Sequence, residues 1–212
     1  MSLPVHTFPG QGLYLVTPDE PDTTRLLSRV AAVLPHAVLL QYRNKAAGAG
    51  LRREQATALG GLCREHGIAL LINDDWRLAC ETGADGAHLG EDDGDLVAAR
   101  AAMGPRAILG ASCYDSLDHA GAASLAGASY LAFGAFFPSP TKPHARRATP
   151  DLLRDAARFG LPRVAIGGIT PDNGGLLTAA GADLLAVISS VYAAPDIGAA
   201  VRAYHSCFPD TT

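Results

Sequence analysis

The sequence predicts a single (β/α)₈ barrel, and three observations carry that prediction. Short apolar runs alternate with segments of helical periodicity along the 212 residues. Three similar joints, at Gly83, Gly127 and Gly181, each end a helix and enter a strand, as a C′ glycine does. No linker divides the chain, so we expect one domain over 1–212 with a mobile leader at 1–11. A doubly wound open sheet is the alternative, although it needs fewer units.

The predicted strands are apolar runs that stop at polar residues, proline or glycine. The first of these runs ends at Pro18, and the last ends at Ser189. The predicted strands are residues 13–17, 37–41, 68–72, 87–89, 107–111, 130–133, 163–166 and 184–188.

The predicted helices follow the 3.6-residue rhythm of apolar positions, and their ends carry typical signals. Asp22 precedes the first helix and Pro35 ends it, while Pro171 opens the seventh at a first-turn position. The helices between these are predicted at 51–66, 76–81, 94–103, 115–126 and 150–159, and a closing helix runs to about residue 205.

Composition describes a folded globule with a substantial core, at 48% hydrophobic and 18% charged residues. The net charge of −4 favours no nucleic-acid partner. The four cysteines are scattered without metal-ligand spacing, which indicates free thiols in a reducing compartment. No signal segment and no run of about eighteen apolar residues is present. We therefore expect a cytoplasmic protein with no membrane partner, and a homo-oligomer is compatible with the sequence.

Two carboxylates follow neighbouring strands of one βαβ unit. Asp74 comes after the third strand and Asp93 after the fourth. Parallel strands end on the same face, so these acids are expected to converge and to hold one Mg²⁺ ion. The alternative is that Asp74 or Asp75 caps one helix and Asp92 or Asp93 caps the next.

Residues after the last two strands predict a phosphate site. Gly167 and Gly168 allow backbone N–H groups to approach phosphate oxygens, and Ser189 adds a hydroxyl donor. The alternative for the glycine pair is a tight strand-to-helix turn. Arg43, Lys45 and Lys142 are expected on the same face, where they suit a Mg²⁺-bound diphosphate, although exposed cations commonly serve only solvation.

The segment 137–143 is rich in proline and hydroxyl residues, and we expect a lid that closes on substrate. A plain surface loop is the alternative. His88 is a candidate general base, but a strand-end histidine more often packs or orients. No nucleophile elbow, Walker loop or dinucleotide fingerprint is present.

At these residues the chain resembles the thiamine-phosphate synthase family over nearly its whole length. The similar segments are 14–17, 41–45, 73–74, 86–90, the acid at Asp93, Ser112, 137–142, 166–169 and 187–189. The resemblance implies a transferase that joins 4-amino-2-methyl-5-pyrimidinylmethyl diphosphate to a thiazole phosphate and releases pyrophosphate.

The resemblance also implies roles for residues at matching positions. Arg43, Ser112 and Lys142 are implied as catalytic, and Asp74 and Asp93 as ligands of Mg²⁺. The implied pyrimidine diphosphate site comprises Gln41, Tyr42, Arg43, Asn44, Lys45, Asn73, Ser112 and Lys142. The implied thiazole phosphate site comprises Ser139, Pro140, Thr141, Gly168, Ile188 and Ser189.

The chain departs from the family pattern at several positions. Asn44 stands where the family commonly has an acid, Ser139 where threonine is frequent, and Cys113-Tyr114 where a Thr-His pair is frequent. Glu91 follows Gly90 where glutamine is usual. None of these changes removes a charged group that the implied reaction requires.

Two other functions stay open at the level of sequence. A thiazole tautomerase on the same barrel would move a proton, with His88 as the suspect, and would not need Asp74, Asp93 and the cations together. A non-catalytic phosphate-binding barrel would bind without turnover or metal.

Overall fold

The computed structural model of the chain describes Phe8 and residues 10–91, 93–138 and 147–208. Eight parallel strands close into a barrel in which each strand pairs with its sequence neighbours and the last pairs with the first. The strands are β1 (Gly12–Val16), β2 (Leu39–Tyr42), β3 (Ala69–Asn73), β4 (Gly86–Leu89), β5 (Ile108–Tyr114), β6 (Tyr130–Phe133), β7 (Arg163–Ile166) and β8 (Leu184–Val187). The predicted (β/α)₈ barrel is confirmed.

Helices connect the strands in the predicted order. They are α1 (Thr23–Val33), α2 (Ala49–His66), α3 (Trp76–Thr82), α4 (Leu96–Met103), α5 (Leu117–Leu125), α6 (Pro150–Asp155), α7 (Pro171–Ala179), α8 (Ser189–Tyr192) and α9 (Ile197–Ala203). Asp22 caps α1 as predicted, because its side chain accepts the Arg25 N–H at 2.9 Å. None of the described helices is both long and apolar enough to cross a membrane.

The core has two layers that follow from the alternation of side chains along each strand. Leu39 packs inside the barrel with Tyr14, Leu71 and Tyr130. Leu40 belongs to the outer layer, where apolar helix residues cover the sheet. The four cysteines are free thiols, as predicted, and only Cys80 is exposed.

Most predicted boundaries differ from the observed ones by one or two residues, and three elements differ by more. Strand β5 continues past the predicted end at 111 to Tyr114, because a bulge between Ser112 and Tyr114 preserves its pairing with β6. The closing helix is divided into α8 and α9, with Asp196 capping the second segment. The helix predicted at 150–159 tightens into a 3₁₀ turn from Ala156.

Part of the predicted mobile leader lies outside the described residues. Of 1–11 the structure describes Phe8 and 10–11. The Phe8 ring packs against the barrel interior, with its centroid 5.3 Å from that of Tyr130.

Candidate active site

All eight strands present their carboxyl ends on one face of the barrel, which we call the rim. Gln41, Asn73, His88 and Ser112 lie near the carboxyl ends of β2 to β5. The register pairs Asn73 with His88, and His88 Nε2 lies 2.9 Å from Ser112 Oγ. The barrel therefore brings these strand-end polar groups to one face, as the topology predicts.

Asp74 leaves β3 in a left-handed backbone conformation, with φ of 63°. Its N–H donates to the carbonyl oxygen of His88 at 2.8 Å, which extends the β3–β4 pairing by one residue. Such a conformation costs roughly 1–3 kcal/mol for a non-glycine residue. The cap of α3 is the next residue, Asp75, whose carboxylate accepts the Leu78 N–H at 2.9 Å. Capping therefore does not account for Asp74.

Asp93 approaches Asp74 from the loop after β4. One of its carboxylate oxygens accepts the Gly90 N–H at 3.1 Å, and α4 is capped by Asp95 instead. Burial raises the pKa of Asp93 above its usual value, and the hydrogen bond and charge of Asp74 raise it further. Lys45 Nζ lies 3.1 Å from Asp74 Oδ2. The two acids thus form a site of concentrated negative charge that favours a cation.

The donor set of this acid pair fits a hard divalent ion. Mg²⁺ prefers carboxylate oxygens and keeps several water or phosphate ligands. Across the described ranges, no three His, Cys, Asp or Glu side chains are grouped as a metal cage. Among the described residues, Asp74 and Asp93 are the carboxylates that would hold such an ion. The presence of Mg²⁺ itself stays a prediction.

The segment after β2 carries two of the predicted cations, and Asp19 holds it. Arg43 Nη1 lies 3.1 Å from Asp19 Oδ1, and the same oxygen accepts the Lys45 N–H at 2.8 Å. The buried Thr17 hydroxyl donates to the Arg43 carbonyl oxygen and lies 2.8 Å from the Arg43 N–H. The loop after β1 therefore fixes the backbone that presents Arg43 and Lys45.

Tyr42 and Asn44, which alternate with these cations, are buried against α2. The Tyr42 hydroxyl donates to Gln55 Oε1 at 2.8 Å, and Asn44 Nδ2 donates to the same oxygen at 3.0 Å. Asn44 Nδ2 and Gln55 Nε2 both lie 2.8 Å from the Glu20 carbonyl oxygen. Their observed bonds are thus internal to the protein, and substrate contact by Tyr42 or Asn44 stays a prediction.

A cavity of about 210 Å³ opens beside the Lys45–Asp74 ion pair. It lies between the ends of β2 and β3 and the helices that follow them. The cavity is lined by Tyr42, Asn44, Lys45, Arg52, Ile72, Asn73, Asp74 and Leu78. Arg52 adds a further cation on this side of the rim.

His88 is held between two hydroxyl groups inside the barrel. Its Nδ1 lies 2.7 Å from the Tyr130 hydroxyl, and its Nε2 meets Ser112. Burial lowers the pKa of His88 to about 4, and the nearby Asp74 charge acts in the opposite direction. The imidazole is therefore neutral at pH 7, with one nitrogen that donates and one that accepts.

The loop after β7 depends on its glycines. Gly167 and Gly168 have φ of 103° and 65°. A Cβ on Gly168 would lie 2.5 Å from the Pro138 carbonyl oxygen and 2.6 Å from that of Phe137. Both the conformation and the space at position 168 therefore require glycine, and glycine turns of this kind can present backbone N–H groups to an anion.

The loop after β8 lies beside this glycine turn. Ile188 precedes α8, whose first residue is Ser189. The Tyr204 hydroxyl lies 2.8 Å from the Ile169 carbonyl oxygen and 2.7 Å from the Ser190 hydroxyl. Tyr204 therefore ties the two loops together, and the phosphate cradle of Gly168, Ile188 and Ser189 stays a prediction.

Several predicted residues lie outside the described part of the chain. They are Ser139, Pro140, Thr141 and Lys142 of the predicted lid, together with Asp92 of the acidic cluster. Their roles stay predictions.

The fold and the site define a class of protein: a (β/α)₈-barrel enzyme with an acid pair, cations and a glycine–serine loop on one rim. Comparison with known proteins agrees. The family model described as thiamine monophosphate synthase matches residues 13–191.

Individual relatives match nearly the full chain. Thiamine-phosphate synthase of Xanthomonas campestris pv. campestris (strain 8004) is 60% identical over 199 residues, which are 94% of this chain and 96% of the relative. Thiamine-phosphate synthase of Xylella fastidiosa (strain 9a5c) is 55% identical over 198 residues, which are 93% of this chain and 85% of the relative. The structure of thiamine phosphate pyrophosphorylase from Pyrococcus furiosus has a TM-score of 0.81 at 32% identity, covering 93% of this chain and 95% of that one.

The chain belongs to the thiamine monophosphate synthase family. It is accordingly a transferase of thiamine biosynthesis, and the tautomerase and the non-catalytic barrel are not favoured.

Sequence reasoning missed four residues that shape this site. The sequence pattern places Asp19 in the break after the first strand and Arg52 in a helix, and indicates no site role for either. It places Tyr14 and Tyr130 in strands, and their hydroxyls lie 2.8 Å apart inside the barrel. A tyrosine at an inward strand position was the available signal, because a buried hydroxyl needs a partner.

Proposed function

We propose that the chain condenses 4-amino-2-methyl-5-pyrimidinylmethyl diphosphate with a thiazole phosphate to give thiamine phosphate and pyrophosphate. The bond between the pyrimidine methylene carbon and the diphosphate oxygen breaks, and its electron pair leaves with pyrophosphate. The thiazole nitrogen then uses its lone pair to bond the methylene carbon. No protein nucleophile is required, because the electron-rich aminopyrimidine stabilises a benzyl-type cation.

The acid pair and the cations are proposed to hold the diphosphate. Bound Mg²⁺, held by Asp74 and Asp93, would supply positive charge to the diphosphate oxygens. Arg43 and Lys45 bring further charge, and their backbone is fixed by Asp19 before substrate arrives. Prearranged charge of this kind stabilises a leaving group more effectively than water does.

The strand-end polar groups are proposed to orient the pyrimidine. Gln41 and Asn73 carry amides that both donate and accept hydrogen bonds, and they lie on strands that are adjacent in the barrel. Ser112 lies one strand beyond His88, with its Oγ 2.9 Å from His88 Nε2, and its hydroxyl is proposed to donate to the diphosphate. Tyr42 and Asn44 contribute by supporting the loop, through their shared contact with Gln55.

The glycine turn and the start of α8 are proposed to hold the thiazole phosphate. Backbone N–H groups at Gly168 and Ser189, with the Ser189 hydroxyl, suit a monophosphate. Ser139, Pro140 and Thr141 would close over it, and Lys142 would reach the diphosphate. Alignment of the two substrates then supplies much of the rate enhancement.

The single observation that carries this proposal is the placement of the Asp74–Asp93 pair and the glycine turn on one rim. Two anion sites on one face are what a reaction between two phosphorylated substrates needs.

Product formation tests the proposal. Purified protein given both substrates and Mg²⁺ should produce thiamine phosphate, detected by mass spectrometry, and neither substrate alone should do so. Lys142→Ala should slow turnover, whereas Arg53→Ala, which removes an exposed cation paired with Glu81 at 2.7 Å, should not. A Lys142→Ala defect confined to thiazole phosphate affinity would assign Lys142 to the other substrate.

We further infer a cytoplasmic location, supported by the four free thiols. Fractionation of cells should place the protein with other cytoplasmic enzymes. The sequence is compatible with a homo-oligomer, and light scattering of the purified protein would measure its oligomeric state.

A further inference from the structure

A continuous row of hydrogen bonds crosses the barrel interior beneath the rim. Gln41 Nε2 donates to the Tyr14 hydroxyl at 2.6 Å, and the Tyr14 and Tyr130 hydroxyls lie 2.8 Å apart. The Tyr130 hydroxyl lies 2.7 Å from His88 Nδ1, and His88 Nε2 lies 2.9 Å from Ser112 Oγ. The row thus connects β2, β1, β6, β4 and β5 through five side chains, which we call the interior row.

The interior row is a built feature of the fold. Tyr14 and Tyr130 are almost completely buried, at 1% and 0% exposure. Gly110 makes room for the crossing, because a Cβ there would lie 2.0 Å from Tyr130 Cζ and 2.6 Å from His88 Nδ1. The His88 and Tyr130 rings stack, with centroids 5.6 Å apart and planes 23° apart. A buried polar group without a partner would cost about 1–3 kcal/mol, so each hydroxyl is held to its place in the row.

The row has a direction, which Gln41 sets. Gln41 Nε2 donates to the Tyr14 oxygen, and the single Tyr14 proton points elsewhere. With the Tyr14 hydroxyl donating to Tyr130 and the Tyr130 hydroxyl donating to His88 Nδ1, both buried protons have an acceptor within the row, whereas the opposite order leaves the Tyr14 proton without one in the row. A neutral imidazole that accepts at Nδ1 carries its proton on Nε2, which then donates to Ser112 Oγ.

The direction of the Ser112 hydroxyl, the last group of the row, follows from the position of the proton on His88. Ser112 Oγ accepts from His88, so its own proton is available for a partner on the rim side. A serine proton directed at an anion is favourable, whereas a lone pair directed at it would be repulsive. Aligned hydrogen bonds also polarise one another in a low-dielectric interior, which strengthens the donor at the end of the chain.

We propose that Tyr14 and Tyr130 are positioning residues that fix His88 as its Nε2–H tautomer and thereby make the Ser112 hydroxyl a donor to the diphosphate. This proposal rests on the proposed function for the identity of the anion. The tautomer of His88 is independent of that function, so the two can be tested apart.

The first test is the protonation of the His88 ring nitrogens, read by ¹⁵N NMR of the full-length protein without substrate. The His88→Asn spectrum identifies the His88 signals. Wild-type protein should show a protonated Nε2 and an unprotonated, hydrogen-bonded Nδ1. Tyr130→Phe should remove the hydrogen-bond shift at Nδ1 and allow a mixture of tautomers, while Tyr192→Phe should change nothing at His88.

Tyr192→Phe is a matched control because it also deletes a buried tyrosine hydroxyl. Among the described residues that hydroxyl has no hydrogen-bond partner. A loss that came simply from replacing a buried tyrosine would appear in both variants.

The second test is a double-mutant cycle on kcat with both substrates. Tyr130→Phe should lower kcat on the order of tenfold, as expected for the loss of one hydrogen bond, with little change in the KM for the thiazole phosphate. Tyr14→Phe should have a smaller effect, because Tyr130 can still donate to His88. In the Ser112→Ala background, Tyr130→Phe should cost almost nothing further, because its effect passes through Ser112.

Two results would overturn the proposal. One is a wild-type His88 protonated on Nδ1, and the other is a Tyr130→Phe loss that stays fully additive with Ser112→Ala. If Tyr130→Phe fails to fold, wild-type NMR and the Tyr14→Phe variant decide the matter. If no thiamine phosphate forms with wild type, the proposed function fails, and the tautomer measurement still decides whether the interior row is directed.

Discussion

The two sides of the rim are built differently, and we propose that they recognise anions by different means. The charged side comprises Arg43, Lys45, Asp74 and Asp93, where side chains carry the charge and Asp74 has a left-handed backbone conformation. The glycine side comprises Gly167, Gly168, Ile188 and Ser189, where backbone N–H groups are proposed to do most of the binding.

This difference has consequences for how each side is maintained. The charged side needs a supporting network, because Asp19, Gln55 and Glu20 hold the segment that carries the cations. The glycine side needs empty space, because any side chain at Gly168 would meet the carbonyl oxygens of Phe137 and Pro138. Substitutions that remove atoms should therefore impair the charged side, and substitutions that add atoms should impair the glycine side.

The largest effect is expected from the acid pair. Asp74→Ala or Asp93→Ala should reduce kcat/KM for the pyrimidine diphosphate on the order of a thousandfold, because each removes a proposed ligand of the metal. Thiazole phosphate affinity should be unchanged, as measured by calorimetry.

Asp75→Asn is the matched control for the acid pair. Asn is as good an N-cap as Asp, so this change removes a neighbouring charge and keeps the start of α3. Its activity should stay near wild type, and full activity of both acid-pair variants would refute the metal assignment.

The interior beneath the charged side should also respond to pH. The pKa of His88 is about 4 in the folded chain, below its ordinary 6.5. Between these pH values the unfolded chain binds more protons at His88, so the free energy of unfolding falls as pH falls from 6.5 towards 4. The contribution is about 3 kcal/mol at its full extent, reached below pH 4.

Urea unfolding of metal-free protein at several pH values measures this contribution. His88→Asn lacks the titrating group, so its free energy of unfolding should depend less steeply on pH over this window. Parallel pH profiles for the variant and the wild type would show that His88 is not buried as a neutral group.

On the glycine side, Gly168→Ala should lower kcat/KM for the thiazole phosphate on the order of a hundredfold, because the loop must shift to relieve the contact. Gly175→Ala is the control, since a Cβ there meets nothing within 4 Å and the position lies within α7. Steady-state kinetics with each substrate varied in turn separates the sides. An effect of Gly168→Ala on the diphosphate substrate alone would contradict the division.

A smaller effect is expected beneath the charged side from Asn44→Asp, which introduces the family's usual acid. Asn44 Nδ2 donates to two acceptors, the Glu20 carbonyl oxygen and Gln55 Oε1. A carboxylate there would face two oxygens, and the free energy of unfolding should fall by about 2 kcal/mol. Urea denaturation measures it. Unchanged stability would show that the network rearranges without cost.

The sequence predicted the fold well because the signals were local and repeated. Gly83 and Gly67 end their helices in the left-handed conformation, and strands such as Arg163–Ile166 match their apolar runs. The main errors were at the ends of strands and helices, because tertiary contacts determine where an element stops. Strand β5 extends to Tyr114 because its partner β6 continues to pair across a bulge.

Strand-end chemistry was predictable to the extent that topology determines it. Parallel strands bring Asp74 and Asp93 to one face, whatever the details of the loops. Side-chain partners were not predictable, because they depend on contacts distant in sequence. Asn44 with Gln55, and Tyr14 with Tyr130, are pairs that no local pattern indicates.

The most direct test of the account is pyrophosphate release by the purified protein with both substrates, measured with and without Mg²⁺ and with the thiazole phosphate omitted. We expect release that requires both the metal and the thiazole phosphate, matched by an equal amount of thiamine phosphate. Release that is equally fast in chelator would contradict the role of the charged side. No release under any condition, with thiazole phosphate still bound, would contradict the proposed reaction itself.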